Sequence, residues 1–126
     1  MKQLIRKHLQ DCSTADRFSY SITCAECESI WKSSPVRFSK AGTELLTEAK
    51  YLIAQTIYKR EHGQAMDHAV YEAVHHFNSC PLCGKLVCNY CFVICDDLDM
   101  CRSCAIRLQE EGETVLERLG EAVCNA

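Results

Sequence analysis

Four Cys-x-x-Cys pairs constrain this chain more than any other feature: Cys24/Cys27, Cys80/Cys83, Cys88/Cys91 and Cys101/Cys104. The x-x spacing lets a tight turn aim two thiolates and its backbone N–H groups at one cation, and two such pairs complete a tetrahedral shell of four sulfurs. Eight paired cysteines therefore predict two closed sites. Closed sites are structural zinc, because catalytic zinc keeps an open coordination position. The expected cofactor is two zinc ions. A chain of 126 residues buries only a modest core, so structural metal would add materially to its stability.

Eleven cysteines in a secreted chain would instead read as a disulfide framework. Residues Met1 to His8 show no apolar run followed by small residues, so no signal peptide is expected. No stretch approaches the ~20 apolar residues of a membrane span. The expectation is a cytoplasmic chain with reduced thiols and no transmembrane segment. Its formal charge is −3 with every thiol counted as neutral. Two zinc ions, each held by four thiolates, would take it to about −7. Nucleic-acid binding needs a basic face, so this balance counts against it.

The pattern along the chain is α+β. Leu4, Ile5 and Leu9 predict a short amphipathic helix near the N-terminus. Tyr20, Ile22, Ile30 and Trp31 predict two short strands joined by a metal-binding knuckle at Cys24–Cys27. Leu45, Ala49, Leu52, Ile53, Thr56 and Ile57 recur at helical spacing and predict a helix over 43–62, started by Thr43 or Ser39 and ended by Gly63. Asp67 would cap a second helix through Val70, Ala73, Val74 and Phe77, making a helical hairpin. A last helical run begins near Cys104 and resumes after Gly112 through Val115, Leu116 and Leu119. The expected organisation is an N-terminal helix over 1–17, a two-zinc domain over 18–110 with a helical insertion over 39–78, and a C-terminal helix over 111–126.

Spacing alone leaves two ways to combine the pairs. A sequential scheme joins the first pair to the second and the third to the fourth; a crossed scheme joins first to third and second to fourth. Only Gly84 to Val87 separate the middle pairs. The run His75-His76-Phe77-Asn78-Ser79-Cys80-Pro81-Leu82-Cys83-Gly84, followed by Cys88-Asn89-Tyr90-Cys91, resembles the central motif of FYVE-type fingers. Cys101-Arg102-Ser103-Cys104 and the helix after it are similar to that family's closing motif, so the likeness spans His75 to Leu108. The resemblance implies a crossed brace. Cys24, Cys27, Cys88 and Cys91 would share one zinc, and Cys80, Cys83, Cys101 and Cys104 the other. RING fingers share the crossed brace, with a His among their central ligands. In FYVE domains the His pair sits in a basic run that grips a phosphoinositide. Here Ala73-Val74 and Phe77-Asn78-Ser79 carry no Arg or Lys, so the metal scaffold is carried over and the lipid specificity is not.

The remaining cysteines are Cys12, Cys95 and Cys124. Cys95, close after Cys91, reads as a small buried hydrophobe, with substitution for a ligand or a place beside the zinc as the alternatives. His62, His68, His75 and His76 read as surface or supporting groups, His76 being near enough to Cys80 to replace a thiolate. Asp96, Asp97 and Asp99 lack the spacing of a calcium loop. No activated nucleophile is visible, so the chain is not expected to be an enzyme. The expected function is a zinc-stabilised binding or adaptor module with a protein partner, and self-association as one form of it. Phosphoinositide recognition, a RING-like ligase role and nucleic-acid binding through Lys32, Arg37, Lys40, Lys50, Lys59 and Arg60 are the alternatives.

Overall fold

The computed structural model describes residues 1–95 and 97–112. The C-terminal helix expected over 111–126, with Cys124, therefore falls almost wholly outside the described residues, as does Asp96. Within them the chain is α+β: three helices, one 3₁₀ turn and small antiparallel sheets. It divides into two compact units. The chain begins in the helical unit, Lys2–Ile22, leaves it for the knuckle Thr23–Ile30, returns over Trp31–Ala73, and completes the metal-binding unit from Val74 onward.

The helical unit contains α1 (Lys2–His8), β1 (Gln10–Asp11), β2 (Arg17–Phe18), β3 (Tyr20–Thr23), β4 (Ile30–Lys32), β5 (Val36–Arg37) and α2 (Glu48–Ala73). Strand β3 is central to a sheet of order β1-β3-β4, and β2 pairs antiparallel with β5. Phe18 of β2 and Tyr20, Ser21 and Ile22 of β3 are buried. Phe18, Tyr20 and Phe38 form a core with Ala65 and Ala69 of α2. Tyr58 closes it, its ring centroid 4.9 Å from Phe18 and 5.1 Å from Phe38. Small residues at 65 and 69 let the helix axis approach these rings. Two phenols fix the helix further: Tyr20 donates to the His62 carbonyl at 2.9 Å and Tyr58 to the Thr14 carbonyl at 2.8 Å. Buried Tyr hydroxyls need such partners.

Helix α2 corrects the expected helical hairpin. It runs unbroken for 26 residues through Gly63, with no turn between 62 and 67. Thr47 caps it, its hydroxyl accepting from the Lys50 N–H at 3.1 Å, so neither Thr43 nor Ser39 starts the helix. Ser39 instead binds the Glu61 carboxylate, through its N–H at 3.0 Å and its hydroxyl. Asp67 is no cap either; its carboxylate meets Arg6 of α1 at 2.7 Å. A mid-helix glycine costs only about 1 kcal/mol against alanine, and the helix is packed on both sides of it, by Tyr58 before and by Ala65 and Ala69 after. A Cβ at Gly63 would meet nothing within 4 Å, and the backbone there is not left-handed. Gly63→Ala is therefore expected to raise stability by about 0.5–1 kcal/mol in chemical unfolding; a loss would contradict the continuous helix.

The metal-binding unit contains the knuckle between β3 and β4, then β6 (Phe77–Ser79), β7 (Leu86–Cys88), the 3₁₀ turn Asn89–Cys91, β8 (Phe92–Val93), β9 (Met100–Cys101) and α3 (Arg102–Glu110). Strands β6 and β7 form a hairpin with Phe77 opposite Cys88 and Ser79 opposite Leu86. Strands β8 and β9 pair with Phe92 opposite Cys101. Phe77, Leu86, Val87, Phe92, Val93, Met100 and Ala105 are buried, so the strands and helix that flank the last three cysteine pairs carry apolar anchors.

Candidate metal centres

Two knuckles and two helix starts bring the eight paired sulfurs together. Both knuckles have the same backbone. In the first, Cys24 N–H donates to the Ser29 carbonyl at 2.9 Å, and Glu28 N–H returns to the Cys24 carbonyl at 3.0 Å. In the second, Cys80 N–H donates to the Lys85 carbonyl at 3.0 Å, and Gly84 N–H to the Cys80 carbonyl at 2.8 Å. The residue after each second cysteine must turn left-handed: Gly84 has φ 77° and Glu28 has φ 64°. Glycine adopts that region without strain, whereas glutamate is opposed by its Cβ.

The other two pairs start helical turns. Cys88 precedes the 3₁₀ turn with φ −69°, ψ 165°, and Cys101 precedes α3 with φ −71°, ψ 159°. Each puts its thiolates at the N-terminal end of a helical turn, where unpaired N–H groups favour negative charge. The same bond recurs in both places: Cys88 N–H reaches the Cys24 sulfur at 3.3 Å, and Cys101 N–H the Cys80 sulfur at 3.3 Å.

The sulfurs gather as Cys24, Cys27, Cys88 and Cys91 in one set and Cys80, Cys83, Cys101 and Cys104 in the other, all within 4.8 Å of one another in each set. First pair meets third and second meets fourth, so the chain order of the pairs interleaves. Cys27 and Cys88 sulfurs are 3.7 Å apart, Cys80 and Cys104 3.8 Å, and Cys83 and Cys101 3.7 Å. A disulfide needs about 2.05 Å. A tetrahedral metal with bonds of about 2.3 Å sets its sulfurs about 3.8 Å apart. The two sets fit a tetrahedral ion on both count and spacing, and each could hold one metal ion.

Electrostatics agree with that fit. Ser29, through its hydroxyl and N–H, draws the Cys27 thiol down to about 6. Burial opposes ionisation of Cys80, but the N–H groups of Cys101, Cys83 and Leu82 outweigh it and bring the thiol to about 6. Burial, followed by the neighbouring sulfurs, pushes Cys91 and Cys101 well above the ordinary thiol range, and burial also raises Cys88 and Cys104. A first negative charge in a packed set thus opposes the next, and a divalent cation removes that opposition.

Glu26 joins the two sets, a role that spacing did not reveal. Its carboxylate accepts from Ser103 N–H at 2.9 Å and from the Ser103 hydroxyl, in the first turn of α3. It also meets Lys85 of the second knuckle at 3.4 Å. Burial opposes its charge, but the Ser103 bonds and Lys85 prevail and hold the carboxyl below its ordinary value. Aligning the two knuckles in sequence would have flagged Glu28, since it stands where the second knuckle has Gly84. Nothing in the sequence flags Glu26, because its partners lie 59 and 77 residues away.

The other candidates stay apart from both sets. Cys95 is buried, its thiol against the Val93 carbonyl at 3.7 Å and its N–H on Asp99. His75 and His76 are exposed, and Cys12 lies 3.5 Å from the Ser21 hydroxyl. His62 pairs with Asp11 at 2.8 Å, and His68 with Glu72 at 3.4 Å. Comparison with family models, curated proteins and solved structures finds no match to this chain.

Two tests follow from this geometry. Cys27→Ser with Cys88→Ser strikes one set, so the double variant should keep one bound metal; Cys27→Ser with Cys83→Ser strikes both and should keep none. Elemental analysis reads the difference, and the reverse result would mean sequential pairing. The knuckle turns give opposite signs: Glu28→Gly should stabilise by up to about 1 kcal/mol, and Gly84→Ala should destabilise by about 1–2 kcal/mol. Thermal unfolding of the metal-loaded chain measures both.

Proposed function

We propose that this chain is a zinc-stabilised, non-catalytic binding module of crossed-brace type, an adaptor that presents a surface to a protein partner in a reducing compartment such as the cytoplasm. The observation that carries the reading is the pair of interleaved four-sulfur sets at tetrahedral spacing. Cys24, Cys27, Cys88 and Cys91 would hold one zinc, and Cys80, Cys83, Cys101 and Cys104 the other. Zinc in such a shell has no place for substrate or water and supplies folding energy rather than chemistry. The FYVE-type likeness of His75 to Leu108 supports the crossed brace. Among the described residues no helix is long and apolar enough to cross a membrane.

Purified chain should carry two zinc ions, and chelation should unfold the metal-binding unit. One ion per chain, or iron with a visible charge-transfer band, would sink the two-zinc reading. Cross-linking in cells followed by mass spectrometry should capture a protein partner that the chelated chain no longer binds. Vesicles bearing phosphatidylinositol 3-phosphate should not recruit the chain at neutral pH and physiological salt, since Ala73 to Ser79 offers two His and no Lys or Arg. Flotation that His75→Ala or His76→Ala abolishes would replace the adaptor with a lipid-binding reading.

A further inference from the structure

Helix α2 is covered over only half its length. Its buried residues are Ala65, Ala69, Val70 and Ala73, all in the C-terminal half. The N-terminal turns and the segment before them instead leave Leu45, Leu46, Tyr51, Leu52 and Ile53 exposed, Leu46 at 73% and Leu52 at 61%. Five large apolar side chains within nine residues form a patch, which is distinct from scattered surface hydrophobes.

Part of the patch is concave: Leu45, Tyr51 and Ile53 line two hollows, whereas Leu46 and Leu52 lie outside both. A hollow of about 470 Å³ is lined by Phe38, Leu45, Tyr51, Ala54 and Tyr58, with Lys40 and Lys59 at its edges. A second, of about 200 Å³, is lined by Leu45, Ile53, Ala54 and Ile57, with Lys40 and Lys50 beside them. Lys40, Leu45 and Ala54 belong to both, so the hollows adjoin along the helix. The larger has room for an aromatic side chain and the smaller for an aliphatic one.

Charge selects the occupant. Lys40, Lys50 and Lys59 line the two hollows against only Asp16 and Glu44. Lys50 and Lys59 form no ion pair among the described residues. Between Trp31 and Arg60 six Lys and Arg stand against Glu44 and Glu48, in a chain whose formal charge is −3. The excess of cations at the hollows, three lysines against two carboxylates, is opposite in sign to the chain's net charge. A recess flanked by lysines accepts apolar side chains from a segment that carries carboxylates between them.

We propose that these adjoining hollows bind an acidic amphipathic segment of a partner protein, two apolar side chains entering them and carboxylates meeting Lys40, Lys50 and Lys59. The inference rests on the protein-binding reading and names its site and the partner's chemistry. Ala54, which lines both hollows, sets their depth; the lysines set the sign of the partner's charge. Binding weakens with salt, because the rim is exposed and screened.

The test uses the full-length, zinc-loaded chain and short synthetic helical peptides that share one apolar pattern, Leu and Phe one turn apart, with Glu or Lys at the positions between. The Glu peptide should bind at least ~10-fold more tightly than the Lys peptide. Lys40→Glu with Lys59→Glu should remove that preference, and Ala54→Gln should weaken the Glu peptide ~10-fold by placing a larger, polar side chain where the two hollows adjoin. Zinc content and helical circular dichroism establish that each variant is folded; the lysine pair is exposed, so its result stands even if Ala54→Gln does not fold. Equal affinity for the two peptides, or Glu-peptide binding that survives the lysine exchange, overturns the proposal. So does recruitment to phosphatidylserine vesicles without peptide binding, or a dimer that the lysine exchange or Ala54→Gln dissociates. A partner captured in cells equally by wild type and by these variants would remove the groove while leaving the adaptor reading in place; no captured partner at all would remove the adaptor reading itself.

Discussion

Four sulfurs packed within 4.8 Å repel one another once ionised, and a divalent cation at the centre of each set would offset that repulsion. The unit that carries the two sets would depend on that balance. It contains short strands, one 3₁₀ turn and a nine-residue helix, too little regular structure to bury a large core. Strand β7 shows how closely the sets are tied: its three residues connect the end of the second knuckle to Cys88, a span of about 10 Å. The same short strand that separates the sets also keeps them in register.

Around the sulfurs the backbone supplies what the side chains cannot. Cys24 accepts from the N–H groups of Glu26, Cys27 and Cys88, at 3.3–3.5 Å. Such bonds spread thiolate charge into the turn and fix the knuckle's conformation, so a knuckle is set by its turn geometry as much as by its cysteines. That is why Gly84 and Glu28 matter although neither carries a ligand atom. Glu26 extends the network from one set to the other through Ser103 and Lys85, making the two knuckles and α3 one hydrogen-bonded assembly.

The helical unit follows a different physics. Its centre is aromatic, with Phe18, Phe38 and Tyr58 packed edge to face or tilted against small helix residues. Burial of that cluster and the bonds from Tyr20 and Tyr58 hold α2 from about its middle onward. The N-terminal turns rely on the Thr47 cap and local propensity, which leaves their apolar side chains uncovered. The apolar side chains left exposed there are the surface on which the proposed partner would dock.

The α+β class, the eight paired cysteines, the knuckle between β3 and β4 and the helix after Cys101 were all legible in the sequence, because each rests on local spacing. So was the first helix, from Leu4, Ile5 and Leu9. The tertiary structure decided the rest. Spacing alone left the pairing of the sulfur sets open and only the FYVE-type likeness implied it, because the pairing depends on where the strands bring Cys88 and Cys101. The hairpin expected at Gly63 is absent because glycine's helix cost is only about 1 kcal/mol, and the helix is packed on both sides of it, by Ala65 and Ala69 and by Tyr58. Helical spacing marked Leu52 and Ile53 as apolar without saying what would cover them, since periodicity reports a face and not its partner. Glu26 was invisible for a related reason: a single carboxylate has no period, and its partners lie far along the chain.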